Sequence, residues 1–360
     1  MIWPFAKNVP QSFLGIDVGT SSIKIVEISL KGKRKVLENY AEFGMDAVYK
    51  ESFRTFNKNT LLLSSNDVSR ALKAIIQEAD IKTNKAIFSL PDFATFFTTF
   101  ELPPMTQKEI AQAVEFEARK YVPLPPSEVV LDPQLLTKHS PDKQRNKVLL
   151  LAVPITAVNQ YKETAKKADL DIVALEAEVF GLQRSLAKDE KITYVIIDIG
   201  SQSTTVSIVD RGMLKTSSSF DTASKDLTFA LSKALQVDMA EAERIKRKNG
   251  ISSTSDQNSE KILAPILDTM TVEAKKIIRN FCQLEKREPE EVVLAGGTAL
   301  LPGLLEYFQK SINLEFKKTS VKLADPFADI FYPPSIEKNV KEIGPTFAVA
   351  VGEALKGFDQ

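Results

Sequence analysis

Two segments half a chain apart repeat one pattern, FLGIDVGTSSIKIV at Phe13–Val26 and YVIIDIGSQSTTVS at Tyr194–Ser207. Each is an apolar, strand-like run that ends in Asp-x-Gly, turns through small hydroxyl-bearing residues and resumes as a second strand-like run. An aspartate where a buried strand ends, beside a glycine that lets the backbone approach closely, suits a phosphate or its magnesium ion. The turn that follows offers backbone N–H groups and hydroxyls able to cradle phosphate oxygens. One copy alone reads equally well as a carboxylate capping its own turn. Two copies in one chain point instead to two similar lobes that grip one nucleotide from both sides.

The remaining composition narrows the class. At 360 residues the chain is long enough for two or more packed units. Forty-seven basic and 47 acidic residues balance, so no global field draws the protein to nucleic acid or to anionic lipid. A single cysteine, Cys282, excludes an internal disulfide and fits a reducing cytosol. It shares helical spacing with Ile277, Ile278 and Phe281, which reads as packing. The one histidine, His139, falls in a polar stretch, so a His/Cys metal site is ruled out. No apolar run approaches the roughly 20 residues that span a bilayer. The start, MIWPFAK, lacks a secretory pattern, although Ile2, Trp3 and Phe5 form a small aromatic foot suited to a tucked terminus, a membrane or a partner.

Strand and helix signals alternate along the chain. A hairpin turns at Gly32, a polar stretch covers Lys50–Asn59, and Val68, Ala71, Leu72, Ile75, Ile76 and Ala79 form a helical stripe. Ala86–Leu102 reads as Phe- and Thr-rich strands interrupted at Pro91-Asp92. Thr106-x-x-Glu109 is a capping-box signature that opens a helix stopped by Pro123, Pro125 and Pro126. A strand over Val148–Val153 and a helix near Ala157–Ala168 complete a compact α/β insert over 86–172. Beyond the second Asp-x-Gly hairpin come helices near Lys225–Leu235 and Asp238–Gly250, with Asp238 at N-cap, Glu241 at N3 and Gly250 at C′. A polar loop at Ser252–Ser259, a long helix from Ile262 to Phe281, the strand Val292–Ala295 running into Gly296-Gly297-Thr298, and a helix over Phe347–Leu355 close the chain.

The duplicated hairpins, the linking segment with Glu178, the AGGTALLPGL turn and the terminal AVAVGEAL helix, in that order, resemble the actin-like ATPase superfamily across nearly the whole chain. The insert resembles the one that sets apart the FtsA and PilM families, and DVGTSSIKIVE with EFEARKYVPLP is most similar to the PilM family of type IV pilus assembly proteins. The resemblance implies an α/β actin-like ATPase fold of two duplicated lobes with an α/β subdomain inserted in the first. The expected division is 1–85 first-lobe core, 86–172 insert, 173–221 connecting helix and second-lobe core, 222–288 helical second-lobe subdomain, 289–343 second-lobe core continued, and 344–360 a helix returning to the first lobe.

The same resemblance implies ATP and magnesium as ligands. Asp17 and Asp198 would face each other across the cleft and hold the magnesium ion through waters. Gly19, Thr20, Ser21 and Ser22 would wrap the β- and γ-phosphates, with Gly200, Ser201 and Gln202 opposite. Lys24 lies on the strand face of Ser22, pointing into the cleft or standing as a solvated hairpin lysine. Gly296, Gly297 and Thr298 match the turn where backbone passes the adenosine, and Glu243 with Lys246 matches the helix that holds ribose and adenine. Glu178 lies where related bacterial actins place a glutamate that orients the attacking water, which positioning-based phosphoryl transfer requires. Glu176 is its alternative, and either carboxylate also reads as a simple cap. With no other base in view, hydrolysis is expected to be slow at most.

For partners, the PilM resemblance implies the short cytoplasmic tail of a PilN-like inner-membrane protein, received between the insert and the first lobe by helix-in-groove or strand addition. Phe88, Phe93, Phe96, Phe97 and Phe100 are the insert residues suited to such a groove or to a small core. Pilus motor ATPases and self-association are further implied partners, and the implied location is cytoplasmic, peripheral at the inner membrane through those partners. A filament-forming FtsA-like protein is the structural alternative; FtsA-like chains carry a linker and membrane-targeting helix after the last motif, whereas this one ends at Gln360. A small-molecule kinase of the same fold would need a second-substrate pocket with a base, for which Asp92, behind Pro91, reads as a turn residue. An Hsp70-like chaperone would need a substrate domain after the last motif.

Overall fold

The fold grows from hairpins whose apolar residues run almost unbroken, the pattern of strands covered on both faces. A computed structural model describes residues 11–44, 53–57, 60–136, 146–251 and 257–359. The expectations for Ile2, Trp3, Phe5 and His139, and most of the polar stretches at 50–59 and 252–259, lie outside these residues.

In chain order, β1 (Gln11–Val18), β2 (Ser22–Lys31) and β3 (Arg34–Gly44) form an antiparallel meander. Its second turn uses Gly32 at φ +66°, a left-handed conformation that glycine enters without penalty. A short hairpin of β4 (Arg54–Asn57) and β5 (Thr60–Leu63) leads to α1 (Ser65–Glu78). β6 (Lys85–Leu90) and, much later, β10 (Asp171–Ala177) add parallel strands, giving the order β10-β6-β1-β2-β3. Between them lie β7 (Phe96–Leu102), α2 (Gln107–Ala118), β8 (Val129–Leu135), β9 (Asn146–Pro154) and α3 (Ile155–Lys167). After β10 come α4 (Glu178–Leu186), β11 (Thr193–Ile199), β12 (Thr204–Asp210) and β13 (Met213–Phe220). Helices α5 (Ser224–Leu235), α6 (Met239–Asn249) and α7 (Gln257–Glu285) precede β14 (Glu291–Ala295), α8 (Leu304–Asn313), β15 (Ser320–Leu323) and α9 (Glu337–Lys356).

The second sheet, β13-β12-β11-β14-β15, repeats the first strand for strand: a three-stranded antiparallel meander followed on one side by two parallel strands. The duplicated sequence is therefore a duplicated lobe. Helices α1 and α3 cover one face of the first sheet, where Val68, Leu72 and Ile75 of the α1 stripe are buried. Each such side chain contributes roughly 1.5–3 kcal/mol by leaving water. On the second sheet, Val195, Ile197 and Ile199 point into a core shared with α5, α7 and α8, and half-buried Cys282 packs against that core.

Helices α4 and α9 lie between the lobes. The first packs on β6, β10 and β11, the second on β1, β2, β6 and β14. They cross at Gly181 and Gly352, so closely that a Cβ on Gly352 would stand 1.9 Å from the Gly181 carbonyl oxygen. Ser185 Oγ donates to Ala348 O at 2.8 Å and Arg184 Nη1 to Gly352 O at 3.0 Å, tying the crossing together. Glu353, fully buried beside Gly181, has no hydrogen-bond partner on either carboxyl oxygen. Burial and the neighbouring Glu176 push its pKa well above the carboxylate range, so it is carried as a neutral acid.

Two boundaries move. The insert expected over 86–172 is narrower, because β6 sits inside the main sheet between β1 and β10, and α3 packs on α1. What stands apart is the antiparallel sheet β7-β9-β8 with α2, which have a core of their own around Phe100, Ile110, Val114, Val148 and Leu150. The boundary at 173 would cut β10, which pairs with β6 through Ala177. Parallel strands distant in sequence are joined only by tertiary pairing, which local signals do not carry. Local signals fare better. Thr106 and Glu109 form a reciprocal capping box, and Asp238 accepts from the Glu241 N–H at 2.8 Å.

Candidate functional site

The two Asp-x-Gly turns fold alike. Gly19 N–H donates to Ser22 O at 2.9 Å, and Gly200 N–H donates to Ser203 O at 3.0 Å. Asp17, next to last in β1, is opposite Lys24, whereas Asp198, next to last in β11, is opposite Thr205. Lys24 turns inward: its Nζ lies 3.7 Å from Asp17 Oδ2, and Ser89 Oγ donates to Asp17 Oδ1 at 3.2 Å. Thr20 and Ser22 are buried, while Ser21 faces solvent at the turn's tip. Gly200 and Ser201 accept from the Ser224 and Lys225 N–H groups at 3.2 and 3.0 Å, which seats the second turn on the start of α5. Gln202 is partly buried beside them.

Gly296 requires its glycine. It has φ +83°, and a Cβ there would stand 2.5 Å from Asp198 Oδ1 and from Ile199 O. Its N–H donates to Pro345 O in α9 at 2.9 Å. Gly297 faces open space and Thr298 is buried. The Gly-Gly-Thr turn thus abuts the second aspartate, with Gly297 left exposed. Glu243 and Lys246 are drawn inward instead. Lys246 is buried, and its Nζ lies 2.6 Å from Glu243 Oε2, 2.6 Å from Ser224 Oγ and 2.8 Å from Thr228 Oγ1. With its three protons so engaged, it joins α5 to α6 as a strut. Burial raises the Glu243 pKa, but hydrogen bonds from Lys246, Thr228 and Arg247 outweigh it and hold the carboxyl at about 2.

Glu178, the first residue of α4, is buried and bonded to Arg54, with Nη1–Oε1 at 2.7 Å. Glu176 is instead clamped by Arg184 in two contacts of 2.7 and 2.9 Å and leaves the cleft to Glu178. Arg54 was hidden in a polar stretch with no motif. Asp92 stands at a short helical turn, Asp92–Ala94, where its Oδ1 accepts the Val179 N–H at 3.1 Å. Its Oδ2 is buried without a partner. Its position, directly after a buried strand, is the signal that also marks Asp17, but Pro91 made it read as a turn alone.

These groups share one field. Burial, then Glu178 and Asp17, push Asp198 up to about 7 against the pull of Lys24 and Arg54. Burial likewise raises Glu178 against Arg54, with Asp17 adding to the rise, and raises Asp92 well above its usual range with Glu178 beside it. Arg54 stays protonated despite burial because Glu178, Tyr161 and Asp17 surround it. Four carboxylates thus converge with two cations, a cluster that asks for added positive charge. Among the described residues no three His, Cys, Asp or Glu form a direct ligand cage. A magnesium ion held beside Asp17 and Asp198 would be met through waters and phosphate oxygens, its usual manner.

A carboxyl whose folded pKa lies above its unfolded value stabilises fully at low pH and loses that contribution as pH rises through the folded pKa. For Asp198 the window runs from its ordinary 3.8 to about 7. In magnesium-free buffer, unfolding free energy should fall by roughly 2–3 kcal/mol from this group between about pH 5 and 8. Thermal unfolding of Asp198→Asn should show a flatter profile over that range; a parallel fall would refute the assignment.

Around the insert, Phe88 belongs to the first-lobe core and Phe100 to the insert's own, whereas Phe93, Phe96 and Phe97 line a cavity of about 390 Å³ between β7 and β13. No described helix is long and apolar enough to cross a membrane.

Residues 15–358 match the family model described as type IV pilus assembly protein PilM. The cell division protein FtsA of Neisseria meningitidis serogroup B is 26% identical over 251 residues, 58% of this chain and 59% of that protein. The chain thus spans about three-fifths of the length of this curated relative. A PilM–PilN type IV pilus biogenesis complex contains a chain with TM-score 0.81 and 25% identity, over 96% of this chain and 98% of that one. MreB5 of Spiroplasma citri bound to AMPPNP, 12% identical with TM-score 0.52 over 97% of this chain and 96% of its own, shares the actin-like fold.

Proposed function

The chain belongs to the type IV pilus assembly protein PilM family, and from that premise we propose that it is a magnesium-dependent ATP clamp whose lobe closure sets its grip on a membrane partner. The observation that carries this reading is the convergence of Asp17 and Asp198, one from each duplicated turn, on the buried Arg54–Glu178 pair. In this reading Asp17 and Asp198 hold the magnesium ion through waters. Gly19, Thr20, Ser21, Ser22 and Lys24 take the outer phosphates, and Gly200, Ser201 and Gln202 close on them from the other lobe. Gly296, Gly297 and Thr298 give the nucleoside a backbone surface. Glu243 and Lys246 hold α5 and α6 in place behind it.

Bound magnesium would neutralise phosphate charge during transfer. Glu178 is the residue in position to orient a water, but Arg54 restrains it, which favours slow hydrolysis and a binding role over turnover. The partner is the short cytoplasmic tail of a PilN-like inner-membrane protein, a choice supported by the similar chain in the PilM–PilN complex. That tail would keep the protein at the inner membrane from the cytoplasmic side. Pilus motor ATPases and further copies of the chain are additional candidate partners.

The test is calorimetric titration of a synthetic peptide covering the N-terminal tail of the PilN-like protein from the same genome. With MgATP, MgADP and no nucleotide, the affinities should differ by about fivefold or more, the lower end of ordinary allosteric coupling. Equal affinity in all three states would remove the coupling. No peptide binding together with ATP-dependent filaments by electron microscopy would favour a cytoskeletal role, the reading that the similarity to FtsA raises.

A further inference from the structure

Arg54 is the cation in the cleft that none of the motifs accounts for. It comes from a short hairpin 124 residues before Glu178, yet its guanidinium is buried, bonds Glu178 through Nη1 at 2.7 Å and lies 5.5 Å from the Phe93 ring centroid. Its Nε is buried with no hydrogen-bond partner. An unmet donor on a buried charge is costly to keep, and a guanidinium fork suits an oxyanion that offers several acceptors. The field around Arg54 includes Asp17, the aspartate of the first phosphate turn. The group therefore lies within electrostatic reach of the first Asp-x-Gly turn, with a donor in reserve.

We infer that Arg54 senses the terminal phosphate of a bound nucleoside triphosphate, exchanging its bond to Glu178 for one to the γ-phosphate oxygens. The inference rests on the nucleotide reading above. With a diphosphate bound, Arg54 keeps Glu178 and Phe93; with a triphosphate, the fork turns to the phosphate, a charge-assisted bidentate geometry, and Glu178 is released to meet a water. The exchange also reaches the insert. Asp92 and Phe93 belong to the turn that enters β7, with Asp92 on the Val179 N–H and Phe93 under the guanidinium. Withdrawal of Arg54 takes away one of the contacts holding that neck to α4.

The experiment compares magnesium-saturated AMPPNP and ADP binding by calorimetry to the full chain and to Arg54→Gln, Arg54→Lys and Glu178→Gln. The unmodified chain should prefer AMPPNP. Arg54→Gln should reduce that preference on the order of tenfold with ADP affinity held within about twofold. Arg54→Lys should keep part of the preference. Glu178→Gln should increase it, because Arg54 no longer leaves a carboxylate. Should Arg54→Gln lower the thermal midpoint, the other two variants carry the same comparison. An unchanged AMPPNP/ADP ratio in the Arg54 variants, an equal loss of both ligands, or a reduced ratio in Glu178→Gln overturns the inference and leaves the nucleotide reading standing. Failure of the unmodified chain to bind either ligand overturns both.

Discussion

Asp17→Ala and Asp198→Ala are each expected to weaken magnesium-dependent ATP binding by about 100-fold or more, while leaving the unliganded fold intact. The two effects have opposite electrostatic origins. In the ligand-bound protein each aspartate would face the hydrated divalent ion, and losing one charge-assisted contact costs about 1.5–3 kcal/mol before the second partner's misplacement is counted. In the unliganded protein the same aspartates crowd Glu178 and Asp92, and the pKa of Asp198 is raised in part by Asp17. Removing one charge relieves that crowding. Nucleotide titration with and without magnesium, beside thermal unfolding, separates the terms. Unchanged affinity in both variants would end the clamp reading, and a collapse of the fold would place these aspartates in the core instead.

Gly352→Ala should be strongly destabilising, by about 3 kcal/mol or more, although the same change at an ordinary helix interior stabilises by roughly 0.5–1 kcal/mol. The reversal comes from the crossing of α4 and α9. A Cβ at Gly352 would meet the Gly181 carbonyl oxygen at 1.9 Å and its Cα at 2.6 Å, all backbone atoms that no rotamer can move. The helices must separate, and Glu178, three residues before Gly181 on α4, must move with them. Gly44→Ala is the control, since a Cβ there meets nothing within 4 Å and should change stability by less than about 0.5 kcal/mol. Equal thermal midpoints for both variants would show that the crossing yields without cost. Reduced nucleotide affinity in Gly352→Ala at temperatures where it remains folded would show that the crossing also sets the cleft.

Glu353 belongs to the same seam. A neutral, unpartnered acid between the lobes is a poor choice for stability alone. Gly181 makes room for it: a Cβ there would stand 2.6 Å from Glu353 Oε1. Glu176, Arg184 and Asp359 form the ionic network along the same helices.

Much of this protein was legible in its sequence because the informative signals are local. An Asp-x-Gly turn closes on its own backbone, a capping box satisfies donors three residues away, and strand and helix periods are set by the covalent chain. Those signals are sufficient for the duplicated hairpins, the two Asp-x-Gly turns, the α1 stripe and the caps of α2 and α6. Arg54 and Asp92 carry no such mark. Each gains its meaning from a distant residue, Glu178 at 124 positions for the first and the Val179 N–H at 87 positions for the second. Glu176 and Glu178 look interchangeable in LEAEVFG until Arg184 claims one and Arg54 the other. The contacts that hold Lys246 are equally invisible in AERIK, because α5 supplies Ser224 and Thr228 to its ammonium. The edge of the insert escaped for a related reason, since β6 and β10 are parallel neighbours that only the folded sheet brings together. The sequence by itself determined two lobes and the backbone turns that can hold phosphate, because turn geometry is encoded within a few residues. Which charges share the space between those turns was decided only by the tertiary structure, because burial and Coulomb energy depend on distance in space and not along the chain.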